Sequence, residues 1–144
     1  MSVSILSRHE ARTYLPIPCY LGKVPAGFPS PADDYMDRRL DLNEHLIKHP
    51  AATIYCIASG VSLTGIGIFD GDMLIVDRSL EAKHKDVVLV SLYGELTCKI
   101  LDIQRQCLRS ANRDYPPIPI PDGADFEIEG VIIHSIRSHR VRPG

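Results

Sequence analysis

The sequence has 144 residues, of which 44% are apolar and 24% are charged. This length suits one domain with a hydrophobic core but hardly two. The net charge of −2 and the lack of any apolar run of membrane-spanning length argue against a nucleic-acid-binding domain and against a membrane protein.

The cysteines are widely separated, at Cys19, Cys56, Cys98 and Cys107. They form no CxxC pair and have no histidine at zinc-finger spacing, so we expect no bound metal ion and no other cofactor. Scattered cysteines fit a reducing compartment, and the N-terminus lacks the apolar stretch of a signal peptide. We therefore expect a cytoplasmic protein.

The first part of the chain, residues 1–31, has no sustained apolar periodicity and carries five prolines. Proline fixes φ and removes a backbone donor, so we expect an extended, adaptable arm here and not a domain. Within the arm, the stretch KVPAGFPSP places Ala26 and Gly27 between prolines. This thin, extended stretch should enter neither a helix nor a central strand.

Residues 32–49, ADDYMDRRLDLNEHLIKH, predict two short helices or one broken helix that ends before Pro50. Asp41 and Glu44 have the spacing of a capping box. An apolar stripe on this helical segment would consist of Leu42, Leu46 and Ile47.

Beyond residue 52, the sequence contains runs rich in Val, Ile and Leu that turn signals separate. Tyr93-Gly94 predicts a hairpin turn between two of these runs. The proline-rich residues 112–125 should form an excursion or an edge strand. The predicted strands are 52–59, 72–77, 86–92, 95–103 and 125–136. The body of the protein is therefore predicted to be mainly β.

Ser62 follows the first of these strands in the glycine-rich stretch SGVSLTGIGIFDGD. A serine at a strand end, with backbone N–H groups nearby, can present its hydroxyl as a nucleophile whose oxyanion those groups stabilise. The alternative is a serine that only forms a turn, which is the more frequent role of serine in such loops.

Lys99 is placed by strand alternation on one face with Thr97, Leu101 and Ile103. Burial there would disfavour the charged amine, and a neutral lysine can act as a general base. The alternative is an edge-strand lysine that reaches water. No histidine lies in a recognisable triad context, so Lys99 is the better candidate base if Ser62 is a nucleophile.

Three separated features together resemble the UmuD branch of the LexA/UmuD family of self-cleaving regulators. They are Ala26-Gly27 in KVPAGFPSP, Ser62 in ASGVSLTGIGIFDGDMLIVD and Lys99 in GELTCKIL. The resemblance implies a compact, strongly bent, barrel-like antiparallel sheet with a short helical segment. It also implies two parts, an arm over residues 1–31 that carries a self-cleavage site and a β-rich peptidase and polymerase-interaction domain over residues 32–144.

By the same resemblance, Ser62 is the nucleophile, Lys99 is its general base and Ala26–Gly27 is the scissile bond. The backbone N–H of Ser62 would form the oxyanion hole with help from the adjoining loop at Gly60 and Val61. Two residues depart from the UmuD pattern: Val61 stands where aspartate is common, and Leu63 replaces a common methionine. They leave the cleavage rate open, while the dyad itself is intact.

The resemblance further implies an SOS-response role in which a RecA–single-stranded-DNA filament promotes cleavage. The processed form would serve a UmuC-like Y-family DNA polymerase in error-prone translesion synthesis, and the protein would be a homodimer. No membrane association is expected.

Three other readings remain. A LexA-like repressor would use the same dyad, but only 26 residues precede the expected cleavage site, too few for a helix-turn-helix domain. Sequence-specific DNA binding is therefore not expected. A signal-peptidase-like enzyme shares the serine–lysine logic but would need a membrane anchor. A binding module with a silent dyad would dock a polymerase without cleaving itself.

Overall fold

The computed structural model describes residues 2–8, 14–20 and 37–140. Met1–Glu10 and His49–Gly144 form one compact unit, and Ala11–Lys48 form a second. The strands are β1 Ser2–Arg8, β2 Ile17–Tyr20, β3 Asp37–Leu40, β4 Thr53–Ser59, β5 Met73–Asp77, β6 Val87–Leu92, β7 Glu95–Asp102, β8 Cys107–Arg109, β9 Ile118–Pro119 and β10 Phe126–Ile136. The one α-helix in the described ranges is α1, Leu42–Leu46, and 3₁₀ turns span Pro50–Ala52 and Thr64–Ile66.

Eight strands form a single antiparallel sheet in the order β1-β4-β5-β10-β6-β7-β8-β9. The sheet closes on itself because β1 pairs with β7 as well as with β4: Ser2 lies opposite both Ser59 and Thr97. Six strands thus form a closed ring, and β8 and β9 extend from β7. Closure removes free sheet edges from the ring. The predicted mainly β, barrel-like fold is confirmed.

Two apolar clusters hold this sheet together. The larger contains side chains from β4, β5, β6 and β7, together with Leu63 and Ile68 from the loop after β4. The smaller contains Val88, Val90, Leu101, Leu108 and Val131. Alternate residues of β7 serve the two clusters, since Cys98 lies in the first and Leu101 in the second.

Cys56 and Cys98 are fully buried in the larger cluster. Burial raises the pKa of Cys56 to about 11 and that of Cys98 to about 12. Both thiols therefore stay protonated at neutral pH and act as small apolar side chains.

All five strands predicted for the body are present, and their apolar runs supply most of the buried core. The Tyr93-Gly94 hairpin is also confirmed: Leu92 pairs with Glu95, and both turn residues have positive φ, 48° and 82°. Within the proline-rich stretch 112–125, β9 is the terminal strand of the sheet, which agrees with the predicted edge.

The helical prediction for residues 32–49 is wrong in part. Asp37–Leu40 is a strand that pairs with Ile17–Tyr20, and within the described residues 37–49 only Leu42–Leu46 is α-helical. Residues 32–36 lie outside the described part of the chain. Asp41 does cap this helix, since its carboxylate accepts a hydrogen bond from the backbone N–H of Asn43 at 3.3 Å. Of the predicted apolar stripe, Ile47 is buried, Leu46 is half-buried and Leu42 is 56% exposed.

The arm is extended where it is described, at β1 and β2, but β1 is also a strand of the closed ring. The position of β1 in the closed ring is not predicted from the sequence. Ala26 and Gly27 lie outside the described residues. Every helix in the described ranges is too short to cross a lipid bilayer.

Candidate active site

Ser62 lies in the loop that leaves β4 after Ser59. Gly60 allows the sharp turn because its φ is 97°, and its N–H donates to the Asp70 carboxylate at 2.8 Å. The Ser62 residue is fully buried, whereas Val61 is 46% exposed. The loop therefore turns the serine inward and the preceding valine outward.

The Ser62 hydroxyl oxygen is buried and has no hydrogen-bond partner among the described residues. An unsatisfied buried polar group costs about 1–3 kcal/mol, so such groups are rare and often functional. In this conformation no hydrogen bond joins the hydroxyl to Lys99.

Lys99 lies in the middle of β7, an interior strand between β6 and β8, and is 5% exposed. In the sheet, Lys99 pairs with Val88 of β6, a residue of the smaller apolar cluster. The alternative of an edge-strand lysine that reaches water is therefore wrong. The predicted face is confirmed for Leu101, while Ile103 lies beyond the end of the strand and is exposed.

Two side chains lie next to the Lys99 amine. It donates a hydrogen bond to the Ser110 hydroxyl at 3.1 Å, and it lies 5.4 Å from the centre of the Tyr115 ring. Among the described residues, no carboxylate lies within ion-pairing distance of this amine. Lys99 is thus a buried amine that a hydroxyl and an aromatic ring hold without a counter-ion.

The segment Ser110–Asn112 connects the two candidate dyad residues. The Ala111 N–H donates to the Ser62 carbonyl at 2.7 Å, and the Ala111 carbonyl accepts from the Gly65 N–H at 2.8 Å. The Asn112 side chain donates to the Val61 carbonyl at 3.0 Å. One short segment therefore holds the serine loop through its backbone and the lysine through Ser110.

The loop beyond the serine is fixed by the buried Asp72. Its carboxylate accepts hydrogen bonds from the Phe69 N–H at 2.9 Å and from the Arg137 side chain at 2.9 and 3.1 Å. The Arg137 guanidinium also stacks 3.7 Å from the centre of the Phe69 ring and donates to the Gly67 carbonyl. Arg137 is thus a structural residue of this loop, joined to it from the end of β10.

Backbone donors for an oxyanion are limited by these contacts. Because the Gly60 N–H is bound to Asp70, it is not free to join an oxyanion hole in this conformation. The N–H groups of Val61 and Ser62 donate to no acceptor in the described part of the chain. The N–H of Leu63 likewise donates to no acceptor there, so the loop around Ser62 has three backbone donors available.

Sequence reasoning missed Ser110, Asn112 and Tyr115, which lie at or after the end of β8. No motif marks them, and the proline-rich stretch that follows indicates only an excursion. The one usable signal was the short apolar pair in Cys107-Leu108, which predicts a further strand beside β7. Among the described residues, no three His, Cys, Asp or Glu side chains cluster as metal ligands.

Sequence comparison with known proteins places the chain in a family. The family model described as peptidase S24-like matches residues 18–133, a range that includes Ser62, Lys99 and Ser110. Protein MucA of Salmonella typhimurium is 42% identical over 143 residues, which cover 98% of both chains. Protein ImpA of Salmonella typhimurium is 38% identical over 87% of this chain and 85% of its own.

A LexA repressor, from Halorhodospira halophila, is 36% identical over 82% of this chain, but the match covers 53% of the repressor. The matches to MucA and ImpA, by contrast, cover 98% and 85% of those proteins. The chain belongs to the peptidase S24-like family, in its UmuD branch.

Proposed function

We propose that this protein is a self-cleaving serine peptidase that cuts its own Ala26–Gly27 bond, with Ser62 as nucleophile and Lys99 as general base. The observation that carries the proposal is the arrangement around Ser110–Asn112. This segment bonds to the backbone of the loop that carries the buried Ser62 hydroxyl, and through Ser110 to the buried Lys99 amine. Among the described residues, the hydroxyl has no hydrogen-bond partner and the amine has no counter-ion.

The reaction would begin when the neutral Lys99 amine accepts the proton of the Ser62 hydroxyl. The serine oxygen then attacks the carbonyl carbon of Ala26, and backbone N–H groups at Ser62 and Val61 stabilise the tetrahedral oxyanion. The Gly27 nitrogen takes the proton from Lys99 and leaves. Water hydrolyses the acyl-enzyme, which releases residues 1–26.

The buried hydroxyl supports a restrained resting state. In the described conformation Ser62 is fully buried, and the Lys99 amine bonds to Ser110 instead of to Ser62. An extended peptide can reach the hydroxyl only after a local rearrangement. A partner that favours the rearranged state would accelerate cleavage by population shift.

For the trigger we propose a RecA–single-stranded-DNA filament, and for the processed form a role as accessory subunit of a UmuC-like Y-family DNA polymerase in the SOS response. We propose a cytoplasmic homodimer as the working unit. The similarity to MucA along nearly the whole chain supports this assignment over a repressor, because the LexA match covers only about half of the repressor.

The proposal is tested by incubating the purified full chain, with and without a RecA–single-stranded-DNA filament, and measuring intact masses over time. The wild-type chain should give a fragment that begins at Gly27. Ser62→Ala and Lys99→Ala should each abolish this fragment, because one removes the nucleophile and the other removes the base.

The matched control is Lys83→Ala, which removes an exposed lysine and should leave cleavage unchanged. Circular dichroism should show that all variants stay folded. Normal processing in folded Ser62→Ala or Lys99→Ala would refute the dyad. A wild-type chain that stays intact under every condition would instead favour a non-catalytic binding module.

A further inference from the structure

The hydrogen bond between Lys99 and Ser110 joins β7 to the residue that follows β8 at the candidate active site. Ile100 of β7 pairs with Arg109 of the antiparallel strand β8. Lys99, which precedes Ile100, therefore lies next to Ser110, which follows Arg109. The amine donates to the hydroxyl at 3.1 Å, and Lys99 is 5% exposed. In the described part of the chain, this hydroxyl is the one hydrogen-bond acceptor of the amine.

Ser110 is itself fixed from both sides. On one side, the Arg109 side chain donates to the Asp102 carboxylate at 2.6 Å, and the Arg105 backbone N–H donates to the same carboxylate at 2.9 Å. These two contacts hold the pKa of Asp102 below its usual range. Because Asp102 belongs to the same strand as Lys99, the ion pair anchors the end of β8 to the strand that carries the amine.

On the other side, Ala111 is bonded to the serine loop through the Ser62 carbonyl and the Gly65 N–H. The backbone around Ser110 is therefore held to the lysine strand and to the nucleophile loop at once. A side chain at this position can set the distance between the Lys99 amine and the Ser62 hydroxyl.

We propose that Ser110 is a positioning residue that holds the Lys99 amine beside Ser62 through both protonation states of the amine. The inference rests on the proposed peptidase function and deepens it. Neither a motif nor a spacing in the sequence indicates this residue.

A hydroxyl suits this task because it can both accept and donate a hydrogen bond. It accepts from the charged amine, and it can donate to the lone pair of the neutral amine. A carboxylate in the same place would strongly favour the charged form, which cannot accept a proton. Ser110 can therefore bond to the amine in either form, and it favours the charged form less than a carboxylate would.

The experiment compares Ser110→Ala with Ser110→Thr, which keeps a hydroxyl. Self-cleavage of the full chain is followed by intact mass between about pH 7 and about pH 10. In Ser110→Ala the rate on the alkaline plateau should fall roughly tenfold, because the amine loses the bond that orients it. Ser110→Thr should retain most of the wild-type rate.

The pH profile separates positioning from a structural role. Loss of the hydroxyl penalises the buried charged amine more than the neutral one, because hydrogen bonds to charged groups are the stronger ones. The midpoint of the Ser110→Ala profile should therefore move about one unit to lower pH. A variant that is only destabilised would lose rate without moving this midpoint. Ser138→Ala, at an exposed serine outside the site, should match the wild type in both respects.

A second readout does not depend on cleavage. In full-length Ser62→Ala protein labelled with ¹³C at lysine Cε, the Lys99 signal is assigned by its loss in Lys99→Arg. Its titration midpoint should move to lower pH when Ser110→Ala is added, and stay in place when Ser110→Thr is added.

The outcomes distinguish the two proposals. If the wild type cleaves and Lys99→Ala does not, while Ser110→Ala keeps the wild-type plateau and midpoint, only the role of Ser110 is overturned. The same conclusion follows if folded Ser110→Thr is as impaired as Ser110→Ala. If the wild type never cleaves, the peptidase proposal fails, and the labelled lysine alone decides whether Ser110 acts on Lys99: a moved midpoint supports the contact, and an unchanged one overturns it.

Discussion

Gly65 lies where the serine loop passes closest to the segment Ser110–Asn112. A Cβ atom at this position would lie 2.4 Å from the Ala111 backbone carbonyl oxygen, far inside van der Waals contact. Because the obstacle is backbone, it cannot rotate away as a flexible side chain would. The absence of a side chain at Gly65 therefore allows the hydrogen bonds that bring the two halves of the candidate site together.

We predict that Gly65→Ala displaces the segment Ser110–Asn112 from the serine loop. Self-cleavage should fall at least roughly tenfold because small misplacements of reacting groups are costly, and stability should fall by about 1–3 kcal/mol through overpacking. Intact-mass kinetics and thermal melting measure the two effects.

Gly123→Ala is the matched control. Gly123 has a positive φ of 81° and open space around a Cβ, so its substitution strains the backbone without a clash and away from the dyad. It should lose stability but keep the wild-type cleavage rate. A folded Gly65→Ala protein that cleaves as fast as this control would contradict the prediction that cleavage depends on the close packing of the serine loop against Ser110–Asn112.

The sequence predicts functional residues whose chemistry recurs in a known motif. It misses functional residues that act only through a tertiary contact. Lys99 could be named because a lysine in an apolar strand is unusual. A serine in a glycine-rich loop is common, and Ser62 could be named because together with Lys99 it matches a known pair. Ser110 could not, since its neighbour Lys99 is brought to it by the pairing of β7 with β8. Such pairing depends on the whole sheet and not on local sequence.

Among the secondary-structure elements, β1 has the most consequential position. It runs beside β4, the strand that leads to Ser62, and its Ser2 also pairs with Thr97, two residues before Lys99 on β7. The strand that closes the ring therefore lies between the two strands that carry the candidate dyad. Cleavage after Ala26 would separate this strand from the rest of the chain.

We predict that a chain that begins at Gly27 stays folded but loses protection along β4. The two apolar clusters draw mainly on β4 to β8 and β10, so the core survives without the first strand. The amides of β4 that faced β1 should exchange with deuterium at least roughly tenfold faster, whereas alternate amides that face β5 should stay protected.

Strand β6 is the internal reference for this comparison, because it lies between β10 and β7, neither of which cleavage after Ala26 would remove. Its exchange should not change. Equal protection of β4 in the intact and shortened chains would mean that β1 does not protect the amides of β4 in the intact protein.

The elements that the sequence predicts and those it misses differ in length and polarity. The five strands predicted for the body have long apolar runs, and each contributes to the buried clusters. The strand DRRL at β3 and the two-residue β9 carry little apolar signal, and they exist because a partner strand satisfies their backbone groups. The sequence of β1, SVSILSR, shows no pattern that distinguishes a strand of the closed ring from an isolated extended segment. For this reason the sequence predicts only an adaptable arm there.

Across the whole molecule, the candidate site is assembled from parts far apart in the chain. The loop after β4 supplies the hydroxyl, β7 supplies the amine, the segment after β8 holds both, and Arg137 after β10 braces the loop through Asp72. A closed sheet can hold such parts rigidly, which limits the conformations in which the hydroxyl and amine can react. The same rigidity explains how a serine without a partner can persist in a folded protein.

The most direct measurement of this account is the rate of self-cleavage of the purified full chain as a function of pH, without any stimulating partner. With the uncharged Lys99 amine as the proposed base, the rate of formation of the fragment that begins at Gly27 should rise from about pH 7 to an alkaline plateau that is reached by about pH 10. The fragment should be absent at every pH in Ser62→Ala. A rate that is flat over this range, or a fragment that Ser62→Ala still produces, would contradict the assignment of a buried lysine that activates a serine against its own chain.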